Sequence, residues 1–98
     1  MLKIALCRVQ FRLYGVNSLK EKRGIVQPLL SSTSSKFRVS IAEVGENDSR
    51  KNLILGIAFV SNKSSHANQV LSQALDHIEQ TARDSELVDY DLEIMEGL

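Results

Sequence analysis

Six consecutive residues, Ser18-Leu19-Lys20-Glu21-Lys22-Arg23, hold the densest run of charge in the chain. Ser18 has the chemistry of a helix N-cap, and Glu21, three residues on, completes a capping box. Lys20, Lys22 and Arg23 therefore open a helix, where unpaired backbone N–H groups and the positive dipole end favour an anion. The chemistry such a site would do is phosphate binding. Arg50 and Lys51 lie in a polar segment between two apolar runs, and Arg83 follows a second helical stripe. The candidate nucleic-acid or anion ligands are thus Lys20, Lys22, Arg23, Arg50 and Lys51, with Arg83 beside them. Glu21, Glu46, Asp48, Asp84 and Glu86 fall in the same stretches and oppose them. Lys22 and Arg23 also fall within the angular range of the helix's apolar stripe. A charge there overhangs the sheet edge or is paired. Its partner is either a carboxylate of the same chain or a phosphate from outside.

The elements that would position these residues follow from hydropathy patterning. Leu2 to Tyr14 reads as a strand, with Leu2, Ile4 and Leu6 on one face and Val9, Phe11 and Leu13 on the other. Either both faces are partly covered or a bulge shifts the register near Leu6–Cys7. After the turn Gly15-Val16-Asn17, Leu19, Val26, Leu29, Leu30 and Thr33 form one helical stripe. Gly24 and Pro28 fall on the opposite side, so Pro28 predicts a bend or break on the solvent face. The Ser31–Ser35 run predicts a weak helix end. Phe37 to Val44 alternates as an edge strand, and Gly45 to Asn52 is a hairpin loop. Leu53 to Val60 is apolar on both faces, which predicts a central strand covered on both sides. Ser61–Ser65 reads as a turn and cap. Ala67, Val70, Leu71, Ala74, Leu75, Ile78 and Ala82 predict a second amphipathic helix. Leu87 to Met95 alternates as a half-exposed strand.

The order β-α-β-β-α-β, with right-handed crossovers, predicts a single ferredoxin-like α+β sandwich over residues 1–98. Its sheet order is 4-1-3-2, antiparallel, with both helices on one face. The last strand then neighbours the first, and Asp89, Asp91 and Glu93 can face Arg8 and Arg12.

Composition narrows the function classes. The chain is neutral overall, yet residues 1–51 hold ten Lys/Arg against four Asp/Glu, and residues 52–98 hold two against eight. The asymmetry predicts either a basic surface for an anionic partner or self-neutralisation between the halves. The single Cys7 cannot form an intramolecular disulfide and reads as a buried small hydrophobe. No apolar run approaches the ~18 residues of a membrane span, and no signal peptide is expected, so a soluble cytoplasmic protein is. His66 and His77 read as surface residues, with no metal-ligand spacing and no Ser/His/Asp arrangement around them. Neither a cofactor nor a metal is expected, and no enzyme activity.

Two relations within the same fold are rejected. Val9-Gln10-Phe11-Arg12 echoes the signature of acylphosphatase-type enzymes, but the glycine-rich anion loop between Gln and Arg is missing. RNA-recognition modules stack bases on aromatics of the central strands. Here Phe11 and Phe59 are the only candidates, without the surrounding aromatic-Gly-aromatic pattern. The open sheet face is apolar, which predicts a homodimer through it.

Four segments carry a family resemblance: Ser18 to Arg23, Phe37-Arg38-Val39-Ser40-Ile41-Ala42-Glu43-Val44, Gly56-Ile57-Ala58-Phe59-Val60-Ser61-Asn62, and Leu87-Val88-Asp89-Tyr90-Asp91-Leu92-Glu93-Ile94. In order and over nearly the whole chain, they resemble the YlxP-like family of small bacterial proteins of unknown function. The resemblance implies a ferredoxin-like fold and a cytoplasmic protein. Relatives are often encoded beside translation initiation and ribosome maturation factors, which implies, by association alone, a role near the ribosome or RNA. It brings no catalytic residues. The chain departs from relatives at Ser49-Arg50-Lys51-Asn52, where a Trp-Gln-Arg-like segment is usual, and at Pro28. Three functions follow as expectations: an RNA- or ribosome-binding accessory protein, a dimeric interaction or small-ligand regulatory domain, and, least, an enzyme acting on a phosphorylated small molecule.

Overall fold

The computed structural model describes residues 1–82 and 84–98; Arg83, one of the expected cations, lies outside them. The chain runs β1 (Leu2–Leu13), α1 (Leu19–Phe37), β2 (Ser40–Gly45), β3 (Asn52–Ser61), α2 (Ser64–Thr81) and β4 (Ser85–Gly97). The four strands form one antiparallel sheet in the order β2-β3-β1-β4, the expected topology.

Strand alternation decides what each face of the sheet buries. On β1, Ala5, Cys7, Val9, Phe11 and Leu13 face the helices and are buried. On β3, Leu53, Leu55 and Ile57 do the same. The helices answer with Val26, Leu29 and Thr33 from α1 and Ala67, Leu71, Ala74 and Ile78 from α2. This is the core. The other sheet face carries Leu6, Ala42, Val44, Ala58 and Val60, and nothing in the described chain covers it. Val44 is 56% and Val60 62% exposed. The expectation that β3 is covered on both faces therefore holds only on the helix side.

Three local readings are corrected. The bulge near Leu6–Cys7, one of the two alternatives for β1, is absent: β1 pairs with β3 without a break from Lys3 to Arg12. The irregularities lie in the edge strands instead. Phe11 pairs with Leu87 and Gln10 with Asp89, leaving Val88 as the extra residue. Val44 is likewise extra between Glu43 and Gly45, and it leans over Gly56, where an added Cβ would lie 2.9 Å from Val44 Cγ1.

The second correction is the end of α1. The serine run does not stop the helix, which continues to Phe37. Hydroxyls can bond back onto the helix instead of competing with it. Thr33 Oγ1 donates to the Leu29 carbonyl at 2.7 Å, Ser32 Oγ to the same carbonyl at 3.2 Å, and Ser34 Oγ to Ser31 at 3.1 Å. Burial of Leu29 and Thr33 against the sheet then carries the helix through. It ends at Arg38, in the left-handed region at φ 55° and ψ 40°, so β2 starts at Ser40 rather than Phe37. The third correction concerns α2, whose N-cap position is Lys63, with no side-chain cap.

Pro28 sits inside α1 on its exposed side. It removes one backbone donor and crowds the preceding turn, which costs about 3 kcal/mol relative to Ala in a helix interior. Pro28→Ala is therefore expected to stabilise the protein by about 1–3 kcal/mol and raise its Tm. Thermal unfolding followed by circular dichroism checks this; an unchanged or lower Tm would show that the proline is accommodated without cost.

Candidate nucleic-acid interface

The start of α1 is capped from within. Ser18 is extended at φ −154° and ψ 161°, and its Oγ accepts the Glu21 N–H at 3.1 Å. The Glu21 carboxylate reaches back to accept the Asn17 N–H. The Ser18 half of the expected capping box is present, and the Glu21 half is displaced by one residue, onto the N–H that precedes the cap. It also places a carboxylate where a phosphate on the helix N-terminus would bind. The anion-binding reading of that terminus is weakened accordingly.

Lys22 answers the question its position raises. It is only 2% exposed. Its Nζ lies 2.8 Å from Glu43 Oε2 and donates to the carbonyls of Glu46 and Asn52, each at 2.8 Å. Three ammonium protons meet three acceptors of the same chain, so Lys22 is not available to an outside phosphate and leaves the candidate set. Glu43 Oε2 is itself buried and has no other hydrogen-bond partner among the described residues; the Lys22 charge is what compensates it. Of the two partners offered by the sequence, a carboxylate of the same chain or an outside phosphate, Lys22 takes the first, from Glu43 on β2.

The remaining four cations are exposed. Lys20 and Arg23, three residues apart, share the outer side of α1. Arg23, expected to turn inward, points to solvent. The loop carrying Arg50 and Lys51 is held in shape: Ser49 N–H donates to the Glu46 carbonyl at 3.0 Å, and Ser49 Oγ accepts from the N–H groups of Lys51 and Asn52 at 3.2 and 3.1 Å. Arg50 Nη1 donates to the Asn17 carbonyl at 3.1 Å, tying this loop to the entry of α1.

The halves of the chain do neutralise one another, but only along β1 and β4. Lys3 pairs with Glu96 and Arg8 with Asp91 at 3.7 Å. The hydrogen bond from Lys3, and then its charge, hold the Glu96 carboxyl below its ordinary range. Lys20, Arg23, Arg50 and Lys51 make no ion pair among the described residues.

Two residues that the sequence reading did not place at this edge join it. Arg12, Tyr14 and Lys51 line one groove of about 310 Å³ together with the Gly15–Asn17 turn. Tyr14 is 55% exposed. Its hydroxyl donates to Glu86 Oε1 at 3.1 Å and its N–H to the Asp84 carbonyl at 2.9 Å. The hydrogen bond to Glu86 is the main cause that pushes the Tyr14 hydroxyl above its ordinary pKa, and the Arg12 charge opposes it. Arg12 sits opposite Glu86 in the strand register, not opposite Asp89, Asp91 or Glu93.

Other reactive groups are accounted for structurally. Burial, then the Asp91 charge, push the Cys7 thiol up, so it stays protonated. His77 is half-buried rather than at the surface. It packs edge-on against Phe37 at 5.5 Å and meets Ser32 Oγ at 3.0 Å, which links the two helices. His66 is exposed and meets Ser61 Oγ at 3.2 Å. Phe11 is fully buried and Phe59 half-buried on the helix side, so neither offers a ring on the open sheet face. Among the described residues no group of three His, Cys, Asp or Glu could hold a metal ion, and no helix is long and apolar enough to cross a membrane.

Fold and site define a ferredoxin-like α+β protein with a partly satisfied basic edge. Its chain belongs to the DUF503 family, described as proteins of unknown function, which it matches over residues 4–92. The Uncharacterized protein YlxP of Bacillus subtilis (strain 168) is 36% identical over 67 residues, spanning 68% of this chain and 73% of the relative. Among solved structures, the de novo designed ferredoxin-fold protein LFR1 1 matches with a TM-score of 0.59 at 10% identity, covering 97% of this chain and 84% of that one. The cofactor-independent oxygenase SnoaB of Streptomyces nogalater matches with a TM-score of 0.54 at 14% identity, covering 98% and 93%. At such identities the likeness is one of fold alone.

The Lys22 cage makes its own prediction. Removing one member of a buried pair strands the other, at about 3–5 kcal/mol. Lys22→Met is expected to destabilise the protein by about 3 kcal/mol in urea unfolding. Adding Glu43→Leu should recover part of that, because the stranded charge goes while the two carbonyls still lack their donor. Equal stability of wild type and Lys22→Met would show that the cage contributes nothing.

Proposed function

We propose that this protein is a non-enzymatic accessory factor of the bacterial cytoplasm that binds RNA or a ribosomal surface through the edge carrying Lys20, Arg23, Arg50 and Lys51. The observation that carries this reading is that these four cations are exposed and make no ion pair among the described residues, while Lys3, Arg8 and Lys22 are each matched by a carboxylate. Cations matched within the chain serve folding; unmatched ones on one edge suit a phosphate backbone. The capped start of α1 argues against a small phosphorylated substrate there, because Glu21 occupies the helix terminus.

A second reading, a homodimer or regulatory domain using the open sheet face, is favoured by one observation. Leu6, Ala42, Val44, Gly56 and Ala58 line an open groove of about 710 Å³ on that face, beside Val60 at 62% exposure. Exposed apolar surface of this kind is a usual mark of an interface.

Filter binding to ribosomal RNA tests the first reading. Affinity is expected to fall steeply with added salt, and Lys20→Ala/Arg23→Ala should weaken binding and flatten that dependence by roughly one to two units of slope. No affinity at low salt, or affinity indifferent to the double substitution, counts against it. Analytical ultracentrifugation tests the second. A dimer at micromolar concentration, converted to monomer by Val60→Glu, is expected; a monomer throughout sinks self-association through this face.

A further inference from the structure

We infer that the groove between Arg12, Tyr14 and Lys51 receives single-stranded RNA, with one base stacked on the Tyr14 ring and the flanking phosphates held by the two cations. This rests on the RNA reading above and extends it from a general basic edge to a defined subsite. Arg12 lies on β1, Tyr14 directly follows that strand, and Lys51 directly precedes β3. Leu13 N–H donates to the Lys51 carbonyl at 2.7 Å, so the end of β1 is joined to the residue that precedes β3. All three side chains are exposed.

The Tyr14 ring is set in place before any ligand arrives. Its hydroxyl is tied to Glu86 and its backbone to Asp84. An aromatic ring fixed at both ends loses little freedom on binding, which favours its use as a stacking surface. The same hydrogen bond engages Glu86 through the tyrosine hydroxyl. Bases within a duplex present no free ring face, whereas unstacked bases of a single strand do, and each is tolerated by an aromatic platform beside basic side chains. A bare phosphate would need the cations alone and leaves the ring without a role.

The chain contains no Trp and two tyrosines, so Tyr90→Phe leaves Tyr14 as the sole source of tyrosine fluorescence. Titrating that variant with a short single-stranded RNA is expected to quench its emission saturably, and a duplex of the same sequence is not. In anisotropy measurements with labelled single strand, Tyr14→Ala should weaken binding roughly tenfold. Tyr14→Phe, which keeps the ring but loses the tether to Glu86, should weaken it by about threefold, less than the loss of the ring does. Arg12→Ala and Lys51→Ala should each reduce the salt slope by about 0.7. If the protein binds RNA but Tyr14 is neither quenched nor needed, this subsite is wrong while the broader reading survives on Lys20 and Arg23. If neither single-stranded nor ribosomal RNA binds at low salt, both fall.

Discussion

One buried ammonium group organises the molecule's basic end. Taking a lysine out of water costs several kcal/mol unless acceptors replace its hydration. Lys22 finds three: the Glu43 carboxylate on β2, the Glu46 carbonyl where the hairpin turns, and the Asn52 carbonyl where β3 begins. Those groups converge only when α1 has docked and the β2–β3 hairpin has closed in its bulged register. Helix docking and hairpin closure therefore stabilise each other through a single side chain. With Lys22 turned inward, its neighbours Lys20 and Arg23 project to solvent. The Arg50–Asn17 bond then holds the hairpin loop to the helix entry, so cations distant in sequence keep a fixed relation to one another.

Much of this was legible in the residues. Alternation identified the strands, the apolar stripe identified both helices, and Ser18 with Glu21 identified the first helix start, because each depends on local geometry. The inward turn of Lys22 was also visible, from its angle around the helix. Its partner was not. Glu43 lies on an edge strand, and only the sheet order and the bulge at Val44 bring it beneath α1. The serine run misled for a related reason: a hydroxyl serves a helix end or a helix interior equally well. Burial of Leu29 and Thr33, a tertiary matter, decided between them. Tyr14 carried no pattern of its own; it gained meaning when the β1–β3 register set Lys51 beside it.

The opposition of charge between the two halves resolves into two unlike regions. Along β1 and β4 the carboxylates face lysine and arginine across the ladder, and such exposed pairs contribute little stability each. At the other end Lys20, Arg23, Arg50 and Lys51 have no such counterparts among the described residues. A single net-charge value conceals this, and the protein's neutrality says nothing of its surface.

The long outer strand β4 has a bearing on how the protein keeps to itself in concentrated solution. Its outer ladder groups are unpaired among the described residues, and Val88, Tyr90 and Leu92 are about half exposed on it. An edge of that length and character invites lateral growth into fibres. Asp89, Asp91 and Glu93, at every second position, give a second β4 laid alongside a row of like charges to meet. Colloidal behaviour is thus written into the same row of carboxylates, of which Asp91 also pairs with Arg8 across the ladder.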